Sequence, residues 1–171
     1  MEFEKLLGKH ISVFEKVIGN DFENKLHGKY LYYIPNKDIK KYFLEVSYYA
    51  ISIVVDKSDV LESISLRFYK IIDKQFYSSL VDKYRVPNSI LVPSGSYTIT
   101  SESITKEDSD SIVASTRKRE VDLREGTFNE KPFVMIWKKE NFYIQAFLRY
   151  EQNISEITFS IDGSPFIIKP K

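Results

Sequence analysis

Apolar positions near the start of the chain, Phe3, Leu6, Leu7, Ile11, Phe14, Val17 and Ile18, recur at helical spacing, and Gly8 divides them into two short helices. The second opens on Ser12-Val13-Phe14-Glu15, an S-x-x-E capping box, and Gly19 supplies its stop. From His27 onward the period shifts toward two, and β-branched and aromatic residues dominate. Strands are predicted over 30–34, closed by Pro35-Asn36, and over 41–46. Tyr49, Ile51, Ile53 and Val55 then alternate with Ala50, Ser52 and Val54. After the polar turn Asp56-Lys57-Ser58-Asp59, Ile64, Leu66 and Phe68 alternate with Ser63, Ser65, Arg67 and Tyr69. This is the pattern of an antiparallel meander with one apolar face.

Asp73 next caps a helix whose stripe is Phe76, Tyr77, Leu80, Val81 and Tyr84, and Pro87 lies just beyond it. The segment 93–126 is rich in Ser, Thr and charge, with weak strand patterns at 97–100 and 112–115, and otherwise reads as a mobile stretch. Clear strands return over 133–137, 142–149 and 154–161, with turns at 138–141 and at Gln152-Asn153.

Setting 51–68 against 144–161, an offset of 93, superposes Ile51, Ile53 and Val55 on Ile144, Ala146 and Leu148. The same offset puts Ile64, Leu66 and Phe68 on Ile157, Phe159 and Ile161. The expected fold is α+β: one or two antiparallel β-meander sheets with helices on one face. Residues 1–171 are expected to form a single domain, and the echo suggests two tandem α-then-β-meander halves, 1–70 and 71–171. Two unrelated hairpins of similar length would align in the same way, because a period of two offers few distinct patterns.

Composition narrows the function classes. In 171 residues, 43% hydrophobic positions with 12 Tyr, 12 Phe and one Trp supply enough apolar surface for a core and exclude disorder of the whole. With 25 Lys and Arg against 24 Asp and Glu, no long-range field gathers nucleic acid or acidic membranes unspecifically. The absence of cysteine removes disulfide scaffolds, thiolate metal sites and cysteine nucleophiles together. Met1-Glu2-Phe3-Glu4-Lys5 does not read as a secretory signal, and no window approaches the ~18 apolar residues of a membrane helix. The expectation is a cytoplasmic protein without membrane attachment.

Candidate chemistry is sparse. His10 and His27 have no triad or ligand partner at sequence spacing and read as solvated or capping residues. The six glycines are dispersed, so neither a phosphate-binding loop nor a nucleophile elbow can be written. Glu107-Asp108-Ser109-Asp110 lacks the glycine and closing glutamate of a calcium loop. Glu45, Asp56 and Lys57 could in principle converge around Mg²⁺, as a metal-dependent hydrolase or nuclease requires. No cofactor is implied.

The aromatic residues say more. The stretches 30–34 and 133–137 are apolar on both faces, and the few predicted helices look insufficient to cover two faces. The polar-side positions of the neighbouring strands offer Arg67, Tyr69, Tyr143, Phe147 and Arg149, residue types enriched at protein interfaces. The mixed-charge run containing Arg117, Lys118 and Arg119 reads as a loop able to tune encounter with a charged partner. Against this stands ordinary packing, with 93–126 folded over the same face. The functional expectation is a non-enzymatic binding protein engaging one specific protein partner, of the inhibitor or immunity (toxin-neutralising) type. The alternatives are the metal-dependent hydrolase or nuclease and a small-ligand carrier with an aromatic pocket between sheet and helices.

Overall fold

The computed structural model describes residues 1–19, 24–26, 29–33, 41–95, 98–107 and 112–163, with side chains described over 1–19, 41–95 and 121–163. A 3-10 turn, Phe3–Leu6, precedes α1 (Ile11–Ile18). Strands β1 (Asn24–Leu26), β2 (Lys29–Tyr33), β3 (Lys41–Phe43), β4 (Val46–Tyr48), β5 (Ala50–Val55) and β6 (Leu61–Phe68) follow. After α2 (Lys74–Tyr84) come β7 (Ser89–Pro93), β8 (Thr98–Glu107), β9 (Ile112–Glu120) and β10 (Leu123–Glu125). The chain then adds β11 (Val134–Lys138), β12 (Tyr143–Arg149) and β13 (Ile154–Ser160). Nine strands form one antiparallel sheet in the order β1-β2-β5-β6-β13-β12-β11-β7-β10, while β3–β4 and β8–β9 are separate two-stranded ribbons. The fold is α+β with meander order, as the periodicity predicts.

The 93-residue echo is reproduced in hydrogen-bond register. In the β5–β6 hairpin Ile51 pairs with Leu66 and Ile53 with Ile64; in β12–β13 Ile144 pairs with Phe159 and Ala146 with Ile157. Each pair is the other displaced by 93 positions. The match ends at Val54/Val55, where a bulge shifts the first hairpin. The two hairpins meet where β6 runs antiparallel to β13, and there Ser65 faces Thr158, its own equivalent, with the hydroxyls hydrogen-bonded at 2.7 Å. A local two-fold axis therefore passes through this pair. Beyond the hairpins, β2 and β1 flank one side as β11 and β7 flank the other, and α1 and α2 each open their half. The ribbon β3–β4 is inserted into the first half, and β8–β9 with β10 into the second.

Alternation puts Ile51, Ile53, Ile64, Leu66, Met135, Trp137, Ile144, Ala146, Ile157 and Phe159 on one sheet face, all fully buried. Over them pack Phe3, Ile11 and Phe14 from the N-terminal helical turns, Phe43 and Tyr48 from the β3–β4 ribbon, and Phe76, Leu80 and Tyr84 from α2. Helices, a 3-10 turn and a ribbon thus cover this face together. Trp137 also anchors the end of α2, its indole N–H donating to the carbonyl of Arg85 at 2.8 Å. Lys41 reaches from β3 to donate to the Ile18 carbonyl at the end of α1, at 2.7 Å.

Several elements depart from the sequence expectation. α1 is capped by His10, whose Nδ1 accepts from the Ser12 backbone N–H, so the helix starts before the predicted Ser12 box. The stretch 41–46 is two strands, because Leu44 and Glu45 (φ 47° and 66°) form a two-residue hairpin turn of the type that ordinarily selects Asn-Gly. The segment 93–126 contains a ten-residue and a nine-residue strand paired as a hairpin, β8–β9. β1, β7 and β10 lie outside the strands that the periodicity predicts. β7 is short and ends at a proline, and it is held by β11 and β10 on either side. After β10 the chain crosses Val92 at Gly126, where a Cβ would lie 2.7 Å from a valine methyl, and this close passage sets Phe128 in a stack on Tyr77 of α2 at 4.1 Å.

Candidate functional site

The other sheet face carries no helix among the described residues. Register places its side chains in three rows. Arg67, Glu156, Phe147, Val134 and Leu91 lie side by side on β6, β13, β12, β11 and β7. Ser52, Ser65, Thr158, Gln145, Ile136 and Ser89 form the next row, and on β5 Ala50 continues the first row as Ser52 does this one. Val54, Ser63, Ser160, Tyr143 and Lys138 form the third. The first hairpin and β13 contribute a floor of small residues, Ser52, Ser63, Ser65, Thr158 and Ser160, whereas β12 contributes Tyr143, Gln145 and Phe147. The two halves share a backbone but not a surface.

The structure brings together four of the predicted residues. Arg67, Tyr143, Phe147 and Arg149 share this face, because positions 143, 147 and 149 alternate with the buried 144, 146 and 148. Arg67 is already engaged: its Nε donates to Glu156 Oε2 at 2.8 Å, and both side chains are only partly exposed. Phe147 packs edge-on against Phe133 with centroids 5.6 Å apart. Arg149, at the end of β12, is exposed. Tyr69 lies just past β6, 70% exposed, with its ring stacked on Tyr49 at 3.7 Å. Arg117, Lys118 and Arg119 fall on β9, pairing with Glu102, Ser101 and Ile99 of β8; their side chains lie outside the described residues, as does His27.

Sequence reasoning missed Gln145. It is 2% exposed, and neither its amide oxygen nor its amide nitrogen has a hydrogen-bond partner among the described residues. A buried unpaired amide costs about 1–3 kcal/mol. The only signal in the sequence is a polar residue at the centre of a strand whose flanking positions are aromatic. Lys138 and Arg149, exposed near opposite ends of β12, have no ion-pair partner among the described residues.

The Mg²⁺ trio does not assemble. Glu45 sits at the β3–β4 turn beside Lys70 and Asp73, near the end of β6, whereas the turn of Asp56 leads into the start of β6, an eight-residue strand of about 26 Å. Asp56 Oδ1 instead accepts from the N–H groups of Ser58 and Val60 at 2.7 and 3.0 Å. Among the described residues no three His, Cys, Asp or Glu side chains converge as metal ligands. The space between sheet and helices, where a carrier would need a pocket, is filled by Phe3, Phe14, Phe43, Phe68, Phe76, Phe159 and Trp137. A cleft of about 190 Å³ lies instead between the β3–β4 turn and the start of α2, where Asp73 caps the helix through the Phe76 N–H. Hydrogen bonding from Lys70, and then from the Phe76 N–H, holds the Asp73 carboxyl below its usual range.

Comparison with known protein families, with characterised proteins and with solved structures finds no match. Among the described residues no helix is long and apolar enough to cross a membrane.

Proposed function

We propose that this protein is a non-enzymatic binding protein that engages one specific protein partner through the sheet face that carries no helix among the described residues, in the manner of an inhibitor or immunity-type protein that covers a toxin or enzyme. The observation that carries the reading is the asymmetry of that face: equivalent positions 50, 52 and 54 of one half are Ala, Ser and Val, while 143, 145 and 147 of the other are Tyr, Gln and Phe. A sheet that only had to be solvated would not need large aromatic side chains at the second set. Tyr143 and Phe147 supply apolar anchor area, and the Arg67–Glu156 pair and Arg149 supply directional polar contacts. Arg117, Lys118 and Arg119 tune encounter, and the protein works in the cytoplasm.

Affinity capture from native lysate, comparing wild type with Tyr143→Ala, Phe147→Ala and Arg149→Glu, tests this. A stoichiometric protein retained by wild type and lost at least tenfold by the three folded variants is expected. A partner retained equally by all three would sink the reading. The charged strand adds a kinetic expectation: the association rate falls with added salt, and a rate unchanged from low to high ionic strength removes the steering role of residues 117–119.

A further inference from the structure

We infer that Gln145 is the polar recognition group of this face, and that its ligand is an extended acidic segment of the partner protein lying along β12. The inference rests on the reading above and names the partner's chemistry. A glutamine amide presents one donor and one acceptor side by side, the complement of a peptide unit's C=O and N–H. Backbone groups of that kind are free in an extended segment and already used in a helix. Both amide atoms are buried, with no hydrogen-bond partner among the described residues, on the face between Tyr143 and Phe147. A packing role would be filled better by an apolar side chain of the same length, since it would leave nothing unsatisfied. Binding therefore moves aside the side chains that bury the amide and gives it hydrogen-bond partners.

Charge fixes the rest. Lys138 pairs with Tyr143 at one end of β12, and Arg149 closes the other. The seven residues of β12 span about 20 Å, the reach of about six extended residues. An occupant with an acid near each end, a peptide unit over Gln145 and small or apolar residues between fits both the cations and the amide.

The probe is an array of synthetic eight-residue peptides: acids about six positions apart, the same compositions with the acids adjacent, and lysine counterparts. Each is assayed against wild type, Gln145→Met and Arg149→Glu, alongside a single-stranded oligonucleotide. Gln145→Met keeps the side-chain length, and it is expected to melt at a higher temperature than wild type while binding the spaced acidic peptides at least tenfold more weakly. Arg149→Glu is expected to lose the preference for acids. Equal binding by wild type and Gln145→Met, no preference for the spaced acids, or binding of the oligonucleotide alone would overturn the inference. If the native partner is captured and lost with Phe147→Ala while no peptide binds, only this inference falls. If the partner ignores every variant on the face, the functional reading falls with it.

Discussion

Phe159→Ala is expected to lower stability by about 3–5 kcal/mol, a large part of the about 5–15 kcal/mol that holds a domain folded. Phe159 is fully buried on β13, and its ring meets Phe43 at 5.7 Å, Phe3 at 6.0 Å and Tyr84 at 6.1 Å. One side chain thus joins the N-terminal 3-10 turn, the β3–β4 ribbon and α2 to the centre of the sheet. Truncation removes the transfer energy of the ring and leaves a cavity bounded by elements that cannot all move inward, since each is fixed elsewhere by its own strand or helix contacts. Urea unfolding monitored by Trp137 fluorescence measures the loss. A double-mutant cycle with Phe43→Ala should show clear coupling, because the two rings share one space. A loss below about 1 kcal/mol would mean that the cluster can collapse around the gap and is not the hub described.

The second large effect is alkaline. Burial pushes the Tyr48 phenol up to about 12. Tyr84 is raised further, first by burial and then by the negative charge of Glu4, to which its hydroxyl donates at 3.0 Å. In the unfolded chain both ionise near pH 10. Above that point the unfolded state holds fewer protons than the folded one, so stability falls as pH rises. The slope is about 1.4 kcal/mol per pH unit for each tyrosine, and the Tyr48 share levels off once its folded form ionises near pH 12. Below about pH 9 neither residue contributes any pH dependence. Urea titrations from pH 8 to pH 11.5 should therefore give a flat region followed by a steep decline. Tyr48→Phe is expected to make that decline shallower, and an unchanged slope in this variant would show that Tyr48 is accessible to solvent.

In the sequence, Tyr48 and Tyr84 resemble Tyr69 and Tyr143; only packing separates two core residues from one exposed past a strand end and one half-buried on the opposite sheet face. The expectation that helices could not cover the sheet assumed that only helices cover sheets. The 3-10 turn with Phe3 and the ribbon with Phe43 and Tyr48 complete the layer. Most of the aromatic surplus is therefore core, and the candidate site is correspondingly smaller.

Local chemistry was legible wherever it was self-contained. Asp73 caps α2 as its position suggested, and Asp56 closes its own turn, because a short side chain reaches backbone N–H groups two to four residues on. The 93-residue echo was legible for the same reason: hairpin register follows from alternation and turn length. The sequence by itself therefore determined the α+β class, the meanders and the core-facing side of β5, β6, β12 and β13. Only the tertiary structure decided that the equivalent strands β6 and β13 pair with each other, that Arg67 is tied to Glu156, that Glu45 and Asp56 lie near opposite ends of β6, and that Gln145 is buried without a hydrogen-bond partner among the described residues. Those outcomes depend on which distant segments meet, and a period of two repeats identically in every strand and carries no record of its neighbour.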